Sequence, residues 1–112
     1  MPQGRLFVVT RADLPAGTQA CQAVHAAIKF TLAFPDIAAA SPIVVFLAVC
    51  DELSLIWLHG DAVAAGLRVT SFHEPDLDDA LTALALEPAA SRLVAGLPLA
   101  LSGLLTSARR RG

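Results

Sequence analysis

Residues 43–49 read Ile-Val-Val-Phe-Leu-Ala-Val, an unbroken apolar run in which Ile43, Val44, Val45 and Val49 are β-branched. Ser41-Pro42 bounds it on one side and Asp51 on the other. A run of that length and composition predicts a strand rather than a helix, and the lack of polar alternation predicts one buried on both faces within a parallel pairing. Upstream, Leu6-Phe7-Val8-Val9 has the same character and reads as a central strand. Leu14-Pro15-Ala16-Gly17 turns the chain into an alanine-rich helix over about 17–33, with Ala20, Val24, Ala27 and Ile28 as packing surface and Pro35 as its end. A loop over 37–42 follows. Strand, helix and strand then form a βαβ crossover, so the two apolar runs are expected to lie side by side, parallel and buried.

Downstream, Asp51 is placed to cap a second helix reaching about residue 65, and Gly66 falls where a left-handed stop belongs. Residues 67–72 read as a third strand and residues 80–86 as a fourth. Between them His73-Glu74-Pro75-Asp76-Leu77-Asp78-Asp79 reads as a polar turn. Pro88 opens a last helix near 89–95. The order βαβαββα, without repeats or linkers, predicts one small α/β domain over 1–112 with helices on both sheet faces.

Bulk composition narrows the function. The 112 residues suffice for a single core that buries roughly 60–70% of the unfolded surface. Hydrophobic residues make up 55% and charged residues 16%, so some apolar surface is expected in a cleft or a subunit contact, and a homodimer is the expected assembly. A net charge of −2 argues against gripping nucleic acid through the overall field, so any tRNA contact has to be local. Arg109, Arg110 and Arg111 read as part of a solvated, flexible tail over about 104–112. The apolar stretches 37–50 and 93–105 are broken by Pro42, Gly96 and Pro98 and fall short of the ~20 residues of a membrane span. Cys21 and Cys50 are in no C-x-x-C pair and are expected as buried thiols in a reducing cytoplasm. The His and Cys spacings match no metal motif and no glycine-rich phosphate loop is present, so neither a metal nor a cofactor is expected. Trp57 is expected in the core or in a dimer contact.

Residues 11–26, RADLPAGTQACQAVHA, set Thr18, Gln22 and His25 at helical spacing on one face. This segment resembles the signature of the type II peptidyl-tRNA hydrolases, roughly R-x-D-L-x-M-x-x-G-K-x-A-A-Q-x-x-H-A. Arg11, Asp13, Leu14, Gly17, Ala20, Gln22, His25 and Ala26 fit once two residues are omitted between Leu14 and Gly17. Farther along, His73-Glu74-Pro75-Asp76 takes the place of that family's arginine-aspartate turn, and residues 82–88 are similar to its T-V-L-x-I-G-P strand. The resemblance spans nearly the whole chain. It implies a three-layer α/β/α sandwich with a four-stranded mixed sheet, and hydrolysis of the ester that joins a peptide to the terminal ribose of tRNA. It also implies His25, Asp76 and Thr82 as catalytic groups, with Gln22, Thr18, Asp13 and Glu74 binding substrate.

The residues themselves leave other roles open. Histidine as a residue type titrates near neutrality, so His25 suits a general base, or it is a half-buried ring bonded to a backbone carbonyl or to Asp13. Asp13 is equally placed to cap the first helix. Asp76, beside Asp78 and Asp79, also reads as a solvated turn acid, and Thr82 as an ordinary strand threonine. The family's lysine is Thr18 here. Loss of a cationic oxyanion donor commonly costs a factor of about 100–1,000 in rate, and Lys29 lies ~16 Å along the helix from residue 18. A second expectation therefore stands beside the esterase: a member of the same fold that binds or acts on a small molecule.

Overall fold

The computed structural model describes residues 4–102; the expected tail with Arg109, Arg110 and Arg111 lies outside them. The chain runs β1 (Arg5–Arg11), α1 (Ala16–Ala33), α2 (Pro35–Ala39), β2 (Ile43–Val49), α3 (Glu52–Ala64) and β3 (Val69–Glu74). A 3-10 turn (Pro75–Leu77), β4 (Ala80–Leu86), a second 3-10 turn (Pro88–Ala90) and α4 (Ser91–Val94) complete it. The four strands form one mixed sheet in the order β2-β1-β4-β3. β1 pairs parallel with β2, Leu6 opposite Val44, and β4 pairs antiparallel with both β1 and β3. The protein is a mixed α/β fold.

Strand alternation sends the side chains of each central strand to two separate cores. Leu6 and Val8 of β1 meet Ala83 and Ala85 of β4 under Ala23, Ala26 and Phe30 of α1. Phe7 and Val9 of β1 meet Leu84 and Leu86 of β4 under Leu55, Leu58 and Ala62 of α3 and Val94 of α4. Alanines on both surfaces of the first core let α1 approach the sheet closely. Thr70 donates its hydroxyl to Ala26 O at 3.2 Å and Lys29 Nζ donates to Ser71 O at 2.8 Å, tying α1 across β3 as well. Each fully buried Phe30, Leu55, Leu84 or Leu86 contributes about 1.5–3 kcal/mol of apolar transfer.

Several expectations change. β2 is parallel to β1, but it is an edge strand: Ile43 and Val44 are exposed, and only Leu47, Ala48 and Val49 are buried. The reason is where α1 lies, over β1, β4 and β3, which leaves the α1 side of β2 uncovered. The far half of that edge is closed by the chain's own later segment, as Ala48 N–H donates to Pro98 O at 3.1 Å and Ala100 N–H to Phe46 O at 2.9 Å. Pro35 ends α1 and also starts α2, where its missing N–H costs nothing at the first helical position. β3 starts two residues later than expected because Leu67 N–H bonds Ala62 O and closes α3, around Gly66 at φ +74°. It then runs on to include His73 and Glu74. Cys21 and Cys50 are exposed, not buried: Cys21 faces a cleft beside α1, and Cys50 follows β2 in the turn to α3. Trp57 is 66% exposed and is no core residue. Among the described residues no helix is long and apolar enough to cross a membrane.

Candidate functional site

The site forms where α1 passes the end of the β3–β4 hairpin, and a defect in β4 builds it. Phe72 pairs with Ala83 and His73 with Leu81, which leaves Thr82 as an extra residue in a β-bulge. Leu81 and Leu84 therefore point into the α3-side core, while the consecutive Thr82 and Ala83 both face α1. Thr82 is fully buried, and its hydroxyl lies 2.7 Å from Gln22 Oε1 and 3.2 Å from Phe72 O. One hydroxyl proton serves two acceptors, and the shorter contact is the one to Gln22.

Gln22, itself buried, is oriented by this contact. With Oε1 facing Thr82, its Nε2 donates to Glu74 Oε2 at 2.7 Å. The other carboxylate oxygen, Glu74 Oε1, accepts from Asp76 N–H at 3.2 Å at the start of the 3-10 turn. The Gln22 amide first, then the Asp76 amide, hold the Glu74 carboxyl below the usual glutamate range, and the nearby His25 adds to the effect. Glu74 is thus an ionised acceptor with lone pairs left over. Past the turn, Asp78 and Asp79 both take left-handed backbone, φ 54° and 58°, a conformation aspartate tolerates better than most residues, and the chain reverses into β4.

A cleft of about 620 Å³ opens beside this chain of bonds, lined by Pro15, Gly17, Thr18, Cys21, Gln22, Glu74, Asp76 and Leu77. Thr18, Gln22, Glu74 and Asp76 come together as the sequence suggested. Thr82 joins them from below, through Gln22. Two acids line the cleft, and among the described residues no Lys or Arg does. Its opposite wall is the start of α1, where the N-cap residue Pro15 makes no side-chain cap bond, so that wall presents the first N–H groups of the helix and its positive dipole.

Two candidates sit elsewhere. His25 is exposed and its ring stacks on Phe72, centroids 4.6 Å apart at 14°, instead of being half-buried against Asp13 or a carbonyl. It lies near Glu74 without lining the cleft. Asp13 does not cap α1. Its carboxylate takes Arg11 Nε and Nη2 at 3.0 Å each, and Arg11 also donates to Leu81 O at 3.2 Å, staking β1 to β4. That paired Asp13 raises the Arg11 pKa. Lys29, tied to Ser71 O, does not stand in for the family's lysine. Sequence reasoning missed Cys21 as a cleft residue; its position one turn before His25 on α1 was the available signal. Among the described residues no group of three His, Cys, Asp or Glu side chains is placed to hold a metal ion.

No family model matches the chain, and no curated protein matches it in sequence. Among solved structures, it is similar to a protein of unknown function from Agrobacterium tumefaciens, with a TM-score of 0.68 and 14% identity over 88% of this chain and 98% of that one. A likeness at this identity speaks for the fold alone.

Proposed function

We propose that the cleft between α1 and the 75–77 turn binds a small molecule bearing a protonated amine close to a carbonyl or carboxylate group. On this reading the chain is a small-molecule-acting member of a three-layer α/β/α fold, and its exposed thiols fit a reducing, cytoplasmic setting. The observation that carries the reading is the pair of carboxylates, Glu74 and Asp76, in a cleft that no Lys or Arg among the described residues lines. Carboxylates attract an ammonium group and repel phosphates. The N–H groups at the start of α1 complement a carbonyl or carboxylate oxygen on the same ligand, and Gln22 sits between the two walls with its amide already oriented.

Titration calorimetry with L-alaninamide and with its N-acetylated form tests this. The free amine is expected to bind and the acetylated compound to fail, with Glu74→Gln weakening the affinity by a factor of at least about ten. Equal binding of both compounds, or of neither, rules the reading out.

A second reading, peptidyl-tRNA hydrolysis, is favoured by one observation: Gln22, Thr82 and Glu74, all named by the resemblance, share one hydrogen-bonded chain. In that reaction a water loses its proton to Asp76 or His25 and attacks the ester carbonyl, and the ribose oxygen leaves with a proton. Diacetyl-lysyl-tRNA is then expected to be cleaved, with His25→Ala and Asp76→Asn each slowing the rate at least tenfold and Thr18→Lys raising it. No cleavage by either the native chain or Thr18→Lys removes this reading.

A further inference from the structure

On the α1 side of the sheet, between α1 and the uncovered part of β2, runs a groove of about 490 Å³. Val8, Ala20, Ala23, Ala27 and Phe46 form its floor, and among the described residues no charged side chain lines it. Along its rim Val24, Ile28 and Leu32 stand at four-residue intervals on α1, 57%, 54% and 79% exposed, and Val44 stands on β2 at 56%. The alanine floor leaves the hollow and the aliphatic row supplies a ridge beside it.

We propose that this groove is the contact between two copies of the chain, related by a two-fold axis, with the Val24, Ile28 and Leu32 ridge of each seated in the groove of the other. Ridge and groove lie on one patch, the self-complementarity an isologous interface needs, and i, i+4 ridges are the rows that interdigitate when helices cross. Because no described charged side chain lines the groove, closure buries no unpaired ion from that lining. An extended peptide is a poorer occupant. Pro42 lacks a donor and the segment at Pro98 to Ala100 already covers the edge at Phe46 and Ala48, so little of β2 remains for strand addition. From residue 20 to residue 32 the patch runs about 18 Å along the helix. That supplies the apolar centre of an interface but not the ~800 Å² per partner of a standard one without its polar flanks, so a concentration-dependent dimer is expected rather than an obligate one. This proposal does not depend on the identity of the ligand in the cleft.

Sedimentation equilibrium of the full chain, from micromolar to millimolar, tests it. A monomer–dimer equilibrium is expected, weakened at least tenfold by Leu32→Glu, a site too exposed for the substitution to unfold the chain, and unchanged by Trp57→Glu on the opposite side of the sheet. Ile28→Glu is expected to act like Leu32→Glu. A monomer throughout the range overturns the proposal, and so does a dimer that survives Leu32→Glu and Ile28→Glu. Dimerisation only after removal of residues 103–112 also overturns it, and assigns the groove to that segment.

Discussion

Thr82 shows how far one side chain depends on a backbone irregularity. Had β4 kept a regular pleat, a threonine between Leu81 and Ala83 would not share a face with Ala83, and the hydroxyl would have no route to Gln22. Thr82→Val keeps the shape but removes the proton donor and leaves Gln22 Oε1 facing a methyl group in a buried site. A loss of about 1–3 kcal/mol in stability is expected, read by denaturant unfolding, together with loosening of the Gln22 amide in NMR spectra. A Thr82→Val protein as stable as the parent would mean that neither hydroxyl contact, to Gln22 or to Phe72 O, adds to stability. Glu74 gives a second test. Because its folded pKa is depressed, its stabilising effect is full above the ordinary glutamate value of 4.5. The effect fades as the pH falls from there through the folded pKa, where the unfolded chain takes up a proton first. Gln22→Leu removes the largest cause of the depression, so the Glu74 carboxyl titration followed by NMR is expected to move up, and the acid limb of the stability curve to become shallower. An unmoved titration would assign the depression to the Asp76 amide.

At the scale of elements, what was local in the sequence was legible. β1, α1, α3 and β4 could be read from apolar runs, helical spacing, the Asp51 cap and the Gly66 stop; Asp51 accepts from Ser54 N–H at 2.9 Å. The parallel pairing of β1 with β2 followed from the crossover. The edge position of β2 did not, since nothing in its seven residues records that β4 inserts beside β1 on the other side, or that α1 leans toward β3. The Thr82 bulge was likewise invisible, because it is a relation between two strands and not a pattern in either. Of the candidate site, Gln22, Thr18, Glu74 and Asp76 were found through helical spacing and resemblance together, whereas Asp13 was misassigned because its partner, Arg11, is as near in sequence as the amides it was expected to cap. The alanines of β4 are weak strand formers by propensity; against α1 they are contact residues chosen by space. Ala83→Leu is therefore expected to force α1 off the sheet and to cost about 1–3 kcal/mol by overpacking, with Gln22 and Glu74 drawn apart. An Ala83→Leu protein of unchanged stability would show that the α1–β4 contact has slack.

For the molecule as a whole, one sheet serves two cores, and β1 and β4 belong to both. Phe30 closes the α1 side and Leu55 the α3 side, each fully buried, and the backbone between them is a single layer thick. Damage to one core should therefore be felt in the other. Phe30→Ala is expected to lower global stability by about 3–5 kcal/mol, a large share of the ~5–15 kcal/mol typical of a domain. Because the central strands are shared, the loss should not stay on the α1 side. Amide hydrogen exchange separates the two outcomes: if the sheet couples the layers, the slowest amides of α3 and of β4 speed up by the same factor as those of α1 in the Phe30→Ala variant, as one cooperative unit requires. If α3 keeps its protection while α1 loses it, the cleft between α1 and the 75–77 turn opens by local detachment of the helix. Gln22 and Glu74 would then part without global unfolding, and ligand binding at the cleft would depend on the stability of the α1-side core rather than on that of the whole fold.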